Sequence, residues 1–335
     1  MEMGEDIFSV ADLYDTLFID MYGVLFDGSE LYSGTLASLK KLKDMGKKVV
    51  LVSNTSQLSA DAIRGYTERG MFCGMHYDYF VTAGELLHHT LLNNKEVFNE
   101  QIGKEFLTVK CLFMGNANVF EGTGVSKCDT YRDADLVYVA SPRAHYGSVR
   151  LDNLYDENGN KVEIEEFLDK DWKTLRDDIG QQGLAEFALQ LERLAALGKT
   201  LFLSNPDVFA PFRIDDGKHP VVTQGAIGFY YEKFFGGKVL YFGKPYVEIF
   251  DFAKKISSSE NDRILMVGDT LWTDVLGAHN GGIDSALVTT GVSSEFFHKM
   301  TGKHILEKLE ILANQIGSKL SHQTLKMPTH VIRHF

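Results

Sequence analysis

The segment Thr16-Leu17-Phe18-Ile19-Asp20 constrains the fold more than any other. A short β-prone apolar run ends in a carboxylate, and Gly23 follows within Met21-Tyr22-Gly23-Val24-Leu25. A continuous apolar run of this kind reads as a strand buried on both faces, the kind found in a parallel sheet covered by helices. Ligands of such sheets bind beyond the carboxyl ends of the strands, where an acid is presented and a glycine lets a ligand approach the backbone. Three later segments follow the same pattern. Leu51-Val52-Ser53-Asn54-Thr55 ends a strand in a hydroxyl, and Gly243-Lys244-Pro245 offers a lysine in a tight turn. Arg263-Ile264-Leu265-Met266-Val267-Gly268-Asp269 ends a strand in a second acid, and Asp274 lies five residues further on.

The intervening sequence alternates helix and strand periods. Ser9-Val10-Ala11-Asp12 reads as a capping box opening a short helix before the first strand. Leu36, Leu39, Leu42 and Met45 recur at helical spacing with Gly46 as a C-cap, and Lys48 to Val52 reads as the next strand. A helix from about Ala60 to Arg69, stopped at Gly70, and a strand at Tyr79 to Thr82 extend this βαβ unit. After Lys238 come a strand at Val239 to Phe242, a helix at Val247 to Ile256 and a strand at Ile264 to Val267. A helix at Asp274 to Asn280, ended by Gly281-Gly282, and a strand at Ser285 to Thr289 complete the series. This order predicts an α/β fold with a mostly parallel sheet and helices on both faces.

Residues from about Gly84 to Gly237 form an insertion with an α/β pattern of its own. Strands are expected at Lys110 to Met114 and Leu136 to Ala140, and an amphipathic helix at Leu184 to Ala196 with Phe187, Leu191 and Leu194 on one face. Asp156-Glu157-Asn158-Gly159-Asn160 reads as a hairpin turn, and the acidic stretch from Glu163 to Asp178 as a solvated excursion. The glycines at Ala83-Gly84 and Gly236-Gly237 suit hinges. The expected division is a core of residues 1–83 and 238–335 and an inserted domain of residues 84–237.

Composition narrows the function. A chain of 335 residues with 44% hydrophobic and 24% charged residues can bury a sizeable core. A net charge of -12 argues against a nucleic-acid partner, which needs clustered Lys and Arg. The three cysteines, Cys73, Cys111 and Cys128, are odd in number and form no C-x-x-C pair, so a reducing cytoplasm is the simpler expectation. The acidic amino terminus leads into no signal peptide, and no apolar run approaches the roughly 18 to 20 residues of a spanning helix, so no membrane association is expected.

The order strand-Asp20, strand-Ser53, Lys244, strand-Gly268-Asp269 resembles the haloacid dehalogenase (HAD) superfamily of phosphatases. Ser204-Asn205-Pro206-Asp207, Gly225-Ala226-Ile227 and Thr289-Thr290-Gly291-Val292-Ser293 are further similar to its NagD-like branch, which carries a large α/β cap of the C2 type on a Rossmann-like core. The resemblance implies Mg²⁺-dependent hydrolysis of a small phosphorylated metabolite through an aspartyl-phosphate on Asp20. It implies Mg²⁺ held by Asp20, Asp269 and the backbone carbonyl of Tyr22, with Asp274 in the outer shell or paired with Lys244. Tyr22, Gly23, Ser53, Asn54 and Lys244 would meet the phosphate, and Asn205 and Asp207 of the cap would face the rest of the substrate. A cap-mediated homodimer is common in the family.

Two features complicate this picture. The family's usual Asp-x-Asp-Gly reads Asp20-Met21-Tyr22-Gly23 here, so the acid that protonates the leaving group and activates water is replaced by tyrosine. Such an aromatic residue resembles a sub-branch of these proteins. Asp27 is the nearby candidate substitute, with a turn residue as its plainer role, and Arg143 and His145 could face the substrate or lie in a surface loop. Trp272 stands where relatives commonly carry a further acid. Two other readings therefore stand beside the phosphatase: restriction to activated acyl or aryl phosphates, and a phosphometabolite-binding protein. The second feature is an echo. Gly46-Lys47 through Ser53-Asn54 and Gly198-Lys199 through Ser204-Asn205 share one pattern, so either serine fits the phosphate from residues alone. The resemblance favours Ser53, because Ser204-Asn205-Pro206-Asp207 matches the cap motif.

Overall fold

The computed structural model describes residues 3–103, 105, 108–114, 118–128, 130–139, 191–207, 209–214, 217–291, 294 and 327–335. Among the described residues, fourteen strands form three sheets. They are β1 (Met3–Gly4), β2 (Thr16–Ile19), β3 (Lys48–Ser53), β4 (Tyr79–Thr82), β5 (Lys110–Met114), β6 (Ser126–Cys128) and β7 (Leu136–Val139), followed by β8 (Thr200–Leu203), β9 (Phe209–Ile214), β10 (Gly217–Val222), β11 (Lys238–Tyr241), β12 (Ile264–Gly268), β13 (Asp284–Val288) and β14 (His330–Ile332).

The larger sheet has seven strands in the order β1-β14-β13-β12-β2-β3-β4, with every neighbouring pair parallel. Side-chain alternation divides its residues between two cores. Leu17 and Ile19 of β2, Val49 and Leu51 of β3, and Leu265 and Val267 of β12 face one core, closed by Leu39, Leu42 and Tyr66 of helices Thr35–Asp44 and Ser59–Thr67. Phe18, Val50, Val52 and Met266 face the other, closed by Leu86 of helix Ala83–Asn93, by Ile249, Phe250, Phe252 and Ala253 of helix Val247–Ser257, and by Ala278 of helix Leu276–Asn280. The strand order changes direction around β2 and β12, which are neighbours in the sheet although nearly the whole chain separates them. A crevice for a ligand is expected at such a switch point.

The second sheet has five parallel strands in the order β11-β8-β7-β5-β6, and β9 and β10 form a separate antiparallel hairpin. One face of this sheet packs Leu201, Leu203, Val137 and Val139 against Leu191, Leu194, Ile227 and Tyr231. The other face packs Cys111, Leu136, Tyr138 and Phe202 against Leu87 and Leu91. The two α/β units therefore share helix Ala83–Asn93. Phe242 joins them further, with its ring centroid 5.0 Å from that of Phe202 and 5.5 Å from that of Phe98.

Several expectations change. The strand expected at Val239 to Phe242 does not reopen the larger sheet; as β11 it pairs with β8. The larger sheet resumes only at β12. Ser9-Val10-Ala11-Asp12 is not a capping box: Asp6 caps a short 3₁₀ turn at Ile7–Ser9 by accepting from the Phe8 amide, and the turn Ala11–Leu13 has no side-chain cap. The expected hinge glycines are packed. A Cβ on Gly84 would lie 2.4 Å from the Ser56 carbonyl oxygen, and one on Gly237 would lie 2.1 Å from the Tyr231 ring. Gly236, at φ +64°, terminates helix Gln224–Phe235. The expected helix at Leu184 to Ala196 is described only from Leu191, where it is helical, and the turn and acidic excursion between Asp156 and Asp178 lie outside the described residues. No helix among the described residues is long and apolar enough to cross a membrane.

Candidate active site

Asp20, Asp269 and Asp274 meet at the carboxyl ends of β2 and β12. The Asp20 amide extends the ladder by donating to the Val267 carbonyl at 2.9 Å, which sets Asp20 beside the end of β12. Asp269 and Asp274 follow on the turn leaving β12, and ligand atoms of the three carboxylates all lie within 4.8 Å of one another. Burial is nearly complete: Asp20 is 8% exposed, and Asp269, Asp274 and Lys244 are 1% exposed each.

Lys244 enters this cluster from the turn after β11. Its Nζ donates to Asp20 Oδ1 at 2.7 Å, to Asp274 Oδ1 at 2.7 Å and to the Val52 carbonyl at 3.1 Å, which uses all three ammonium protons. Asp274 also lies in the helical turn Leu271–Val275, whose N-cap is Thr270. Its Oδ2 accepts from the Thr270 amide at 3.1 Å and the Thr270 hydroxyl at 2.8 Å, while its own amide donates to Thr270 Oγ1 at 3.3 Å. Asp274 is thus paired with Lys244, as one of its two expected roles required, and is bonded to Thr270 at the start of the turn as well.

Two glycines admit Asp269. A Cβ on Gly23 (φ +86°) or on Gly291 (φ +66°) would come within 2.0 Å of Asp269 Oδ2. Gly23 is therefore required both by backbone conformation and by the carboxylate packed against it.

The electrostatics follow from this burial. Burial pushes the Asp20 carboxyl up to about 7, with the Asp274 and Asp207 charges adding to the rise and Lys244 opposing it. Burial also pushes Asp207 up to about 6, again against Lys244. For Lys244 burial acts downward, but Asp20, Asp274 and Asp207 outweigh it and raise the ammonium above its ordinary range. One ammonium among this many carboxylates leaves an excess of buried negative charge, and the donor set is entirely oxygen. These residues fit a hard divalent cation such as Mg²⁺.

The echoed residues Ser53 and Ser204 have different neighbours. Ser204 Oγ lies 2.7 Å from Tyr138 Oη, inside the five-stranded sheet. Ser53 ends β3, beside β2, and its Oγ accepts from the Thr55 amide at 3.3 Å. Asn54 does more than the sequence suggested. Its Oδ1 accepts from the Lys244 amide at 2.7 Å, and its Nδ2 donates to the Lys244 carbonyl at 2.9 Å and to Asp207 Oδ1 at 3.0 Å. Asn205 is the turn residue of the inserted loop, with Oδ1 accepting from the Asp207 amide at 2.9 Å.

Tyr22 is half-buried in an aromatic cluster. Its ring lies edge-on to Phe26 at 5.3 Å, Phe26 lies edge-on to Tyr66 at 5.3 Å, and the Tyr22 and Tyr66 side chains are hydrogen-bonded. Burial raises the Tyr66 hydroxyl well above its ordinary value, and Tyr22 adds to that rise. Tyr66 escaped the sequence reading because its position in helix Ser59–Thr67 carries no motif; an aromatic residue paired with the unusual Tyr22 was the available signal. Asp27 is the turn residue of the alternative reading, with Oδ1 accepting from the Ser29 amide, the Ser29 hydroxyl and the Glu30 amide at 3.0, 3.1 and 2.9 Å. Arg143 and His145 lie outside the described residues.

A parallel sheet with buried acids and a lysine at its switch point suits phosphoryl-transfer chemistry. Residues 17–121 match the haloacid dehalogenase-like hydrolase family model, and residues 241–312 match the HAD-hydrolase-like model. Chronophin from Rattus norvegicus is 34% identical over 288 residues, covering 83% of this chain and 77% of that protein. The ribonucleotide monophosphatase NagD of Escherichia coli K12 is 33% identical over 99 residues, covering 30% of this chain and 37% of that protein. A solved structure from Cytophaga hutchinsonii, described as a possible sugar phosphatase of the HAD superfamily, shares the fold with a TM-score of 0.62 at 20% identity, covering 100% of this chain and 98% of that one. The chain belongs to the haloacid dehalogenase-like hydrolases, in their NagD-like branch.

Proposed function

We propose that the protein hydrolyses a small phosphomonoester, of the sugar phosphate, nucleotide or aryl phosphate type, with Mg²⁺ and through an aspartyl-phosphate on Asp20. The observation that carries this reading is the Lys244 ammonium, hydrogen-bonded at once to Asp20 and Asp274 beside Asp269. In the first step an Asp20 carboxylate oxygen forms a bond to phosphorus while the bond to the leaving oxygen breaks; in the second, water cleaves the acyl phosphate and regenerates Asp20. Lys244 supplies positive charge next to the nucleophile, and the Ser53 hydroxyl with the backbone N–H of Asn54 binds phosphoryl oxygens; the Gly23 N–H, expected to join them, donates instead to the Phe26 carbonyl at 2.8 Å. Asp20, Asp269 and the Tyr22 carbonyl would hold Mg²⁺, with Asp274 in its outer shell, and the ion would neutralise charge on the phosphoryl group.

The domain reading accompanies this mechanism. The core comprises about residues 1–83 and 242–335, and the α/β cap runs from about 84 to Tyr241, because β11 completes the second sheet. NagD is, by its name, a ribonucleotide monophosphatase, which supports a small phosphorylated metabolite here. The engagement of Tyr22 by Phe26 and Tyr66 favours, as a second reading, restriction to activated aryl or acyl phosphates, whose leaving groups need little protonation. Hydrolysis of p-nitrophenyl phosphate with and without Mg²⁺ tests the proposal. Asp20→Asn should abolish turnover in a folded protein, and retained activity would remove Asp20 from the mechanism.

A further inference from the structure

We infer that Asp207 is a positioning residue: acting through Asn54, it sets the backbone of Lys244, so that a loop of the inserted unit holds the lysine of the core in register. This rests on the role of Lys244 proposed above and departs from the substrate-facing role that the family resemblance implied for Asp207. The geometry leaves little freedom. Both Nδ2 protons of Asn54 are used, one on Asp207 Oδ1 at 3.0 Å and one on the Lys244 carbonyl at 2.9 Å, while Oδ1 takes the Lys244 amide at 2.7 Å. The carboxamide is thus clamped around the Lys244 peptide unit on one side and anchored to Asp207 on the other.

Each end of the bridge is fixed. Asp207 sits in a turn closed by Asn205 Oδ1 on its amide, and its carbonyl accepts from the Thr223 hydroxyl and from the Gly225 amide at 3.0 Å, which ties it to the start of helix Gln224–Phe235. A Cβ on Gly225 would lie 2.0 Å from the Pro206 carbonyl oxygen. At the lysine end, Gly243 adopts φ +116°, and a Cβ there would lie 2.5 Å from Asn54 Oδ1 and 3.0 Å from Pro206 Cδ. The Lys244 turn, Asn54 and the Ser204–Asp207 loop are therefore packed as one unit. An asparagine committed to these contacts orients the lysine backbone, and the ammonium at its tip is already saturated by Asp20, Asp274 and Val52.

Asp207→Ala and Asp207→Asn are compared with the unmodified protein by steady-state kinetics on aryl and alkyl phosphates and by mass-resolved amide exchange of the peptide spanning Phe242 to Val247. Asp207→Ala should lower kcat by about 10- to 100-fold on every substrate with KM little changed, since a small misplacement of a catalytic group costs rate rather than binding. Asp207→Asn keeps an oxygen acceptor for Asn54 and should recover most of that loss. Exchange at the Lys244 amide should accelerate in Asp207→Ala. Asp207→Ser replaces the alanine variant, with the same expectations, if the latter does not fold. A changed ranking among substrates with unchanged Lys244 exchange would overturn the inference in favour of direct substrate contact. If the unmodified protein hydrolyses no phosphomonoester, the phosphatase reading fails by itself, and the exchange result alone then decides: acceleration upholds the clamp, and no change overturns it.

Discussion

At Tyr22 a single side chain separates two kinds of chemistry. An acid at this position would exchange protons with the leaving group and with water, whereas a phenol, ordinarily near pKa 10, is a poor base at neutral pH. Tyr22 is held edge-on by Phe26 and bonded to Tyr66, and Asp27 Oδ1 accepts from three donors of its own turn, so both side chains have structural commitments of their own. Alkyl phosphates should accordingly turn over slowly and p-nitrophenyl or acetyl phosphate much faster. Tyr22→Asp should raise kcat for alkyl phosphates by roughly 10² or more, within the range of general acid-base catalysis. It should also cost about 1 to 3 kcal/mol in a urea melt, because an aromatic contact is lost and a cavity is left. Rapid alkyl turnover by the unmodified protein, with no gain in the variant, would assign proton transfer to a different group. Asp20, Ser53, Lys244 and Asp269 were legible because each ends a strand or sits in a tight turn, positions that sequence marks strongly. The Asn54 side chain and Tyr66 were not, since their roles depend on partners far away in the chain.

At the scale of elements, the strands of the larger sheet are stapled at their amino ends, opposite the acids. Asp262, just before β12, accepts from the Thr16 hydroxyl at the start of β2 and from Lys48 Nζ at 3.1 Å at the start of β3. The Thr16 hydrogen bond, opposed by burial and helped by the bond and charge of Lys48 and a bond from Ser259, holds the Asp262 carboxyl below its usual range. A carboxylate with a depressed folded pKa contributes stability that is fully present above its unfolded pKa, near 3.9, and is lost as pH falls through the lower folded value. Asp262→Asn should therefore destabilise by about 1 kcal/mol at pH 7, and the difference should shrink once the solution is acid enough to protonate the native carboxylate. Urea melts at pH 7 and in that acid range measure it; an equal deficit at both would deny the charge a role. Element types were largely legible, because apolar runs and capping glycines are local signals. Membership of a sheet was not. β11 has the composition of a core strand and joins the other sheet only through β8, while β1, β6 and β14 are too short to show a period.

For the whole molecule, the decisive geometry is the meeting of the two parallel sheets over the acids. The Ser204–Asp207 loop reaches Asn54, and Gln224 at the start of its helix donates to Ser56 Oγ at 3.3 Å, so the inserted unit touches the loop after β3 at two places. Helix Ala83–Asn93 runs between the hydrophobic cores of both sheets, and Phe242 packs against both as well. The chain crosses into the inserted unit at the start of helix Ala83–Asn93, where Gly84 is packed against the Ser56 carbonyl, and returns through the turn after β11, so Gly236-Gly237 lies within the inserted unit and not at a crossing. If the proposed function holds, a nucleophile beside the Asn54–Asp207 bridge is expected to favour a phosphate on a small leaving group over one borne on a polypeptide. The expected result is measurable hydrolysis of p-nitrophenyl phosphate, with kcat/KM for a ten-residue phosphoserine or phosphotyrosine peptide lower by roughly 10² or more, the scale on which misplacement of a reacting group lowers rate. Phosphate release from both substrates under identical Mg²⁺ concentrations is the measurement. Comparable kcat/KM for the peptide would mean that the inserted unit swings clear of Asn54 during turnover, and the contacts between the two units would then describe only a closed state of the enzyme.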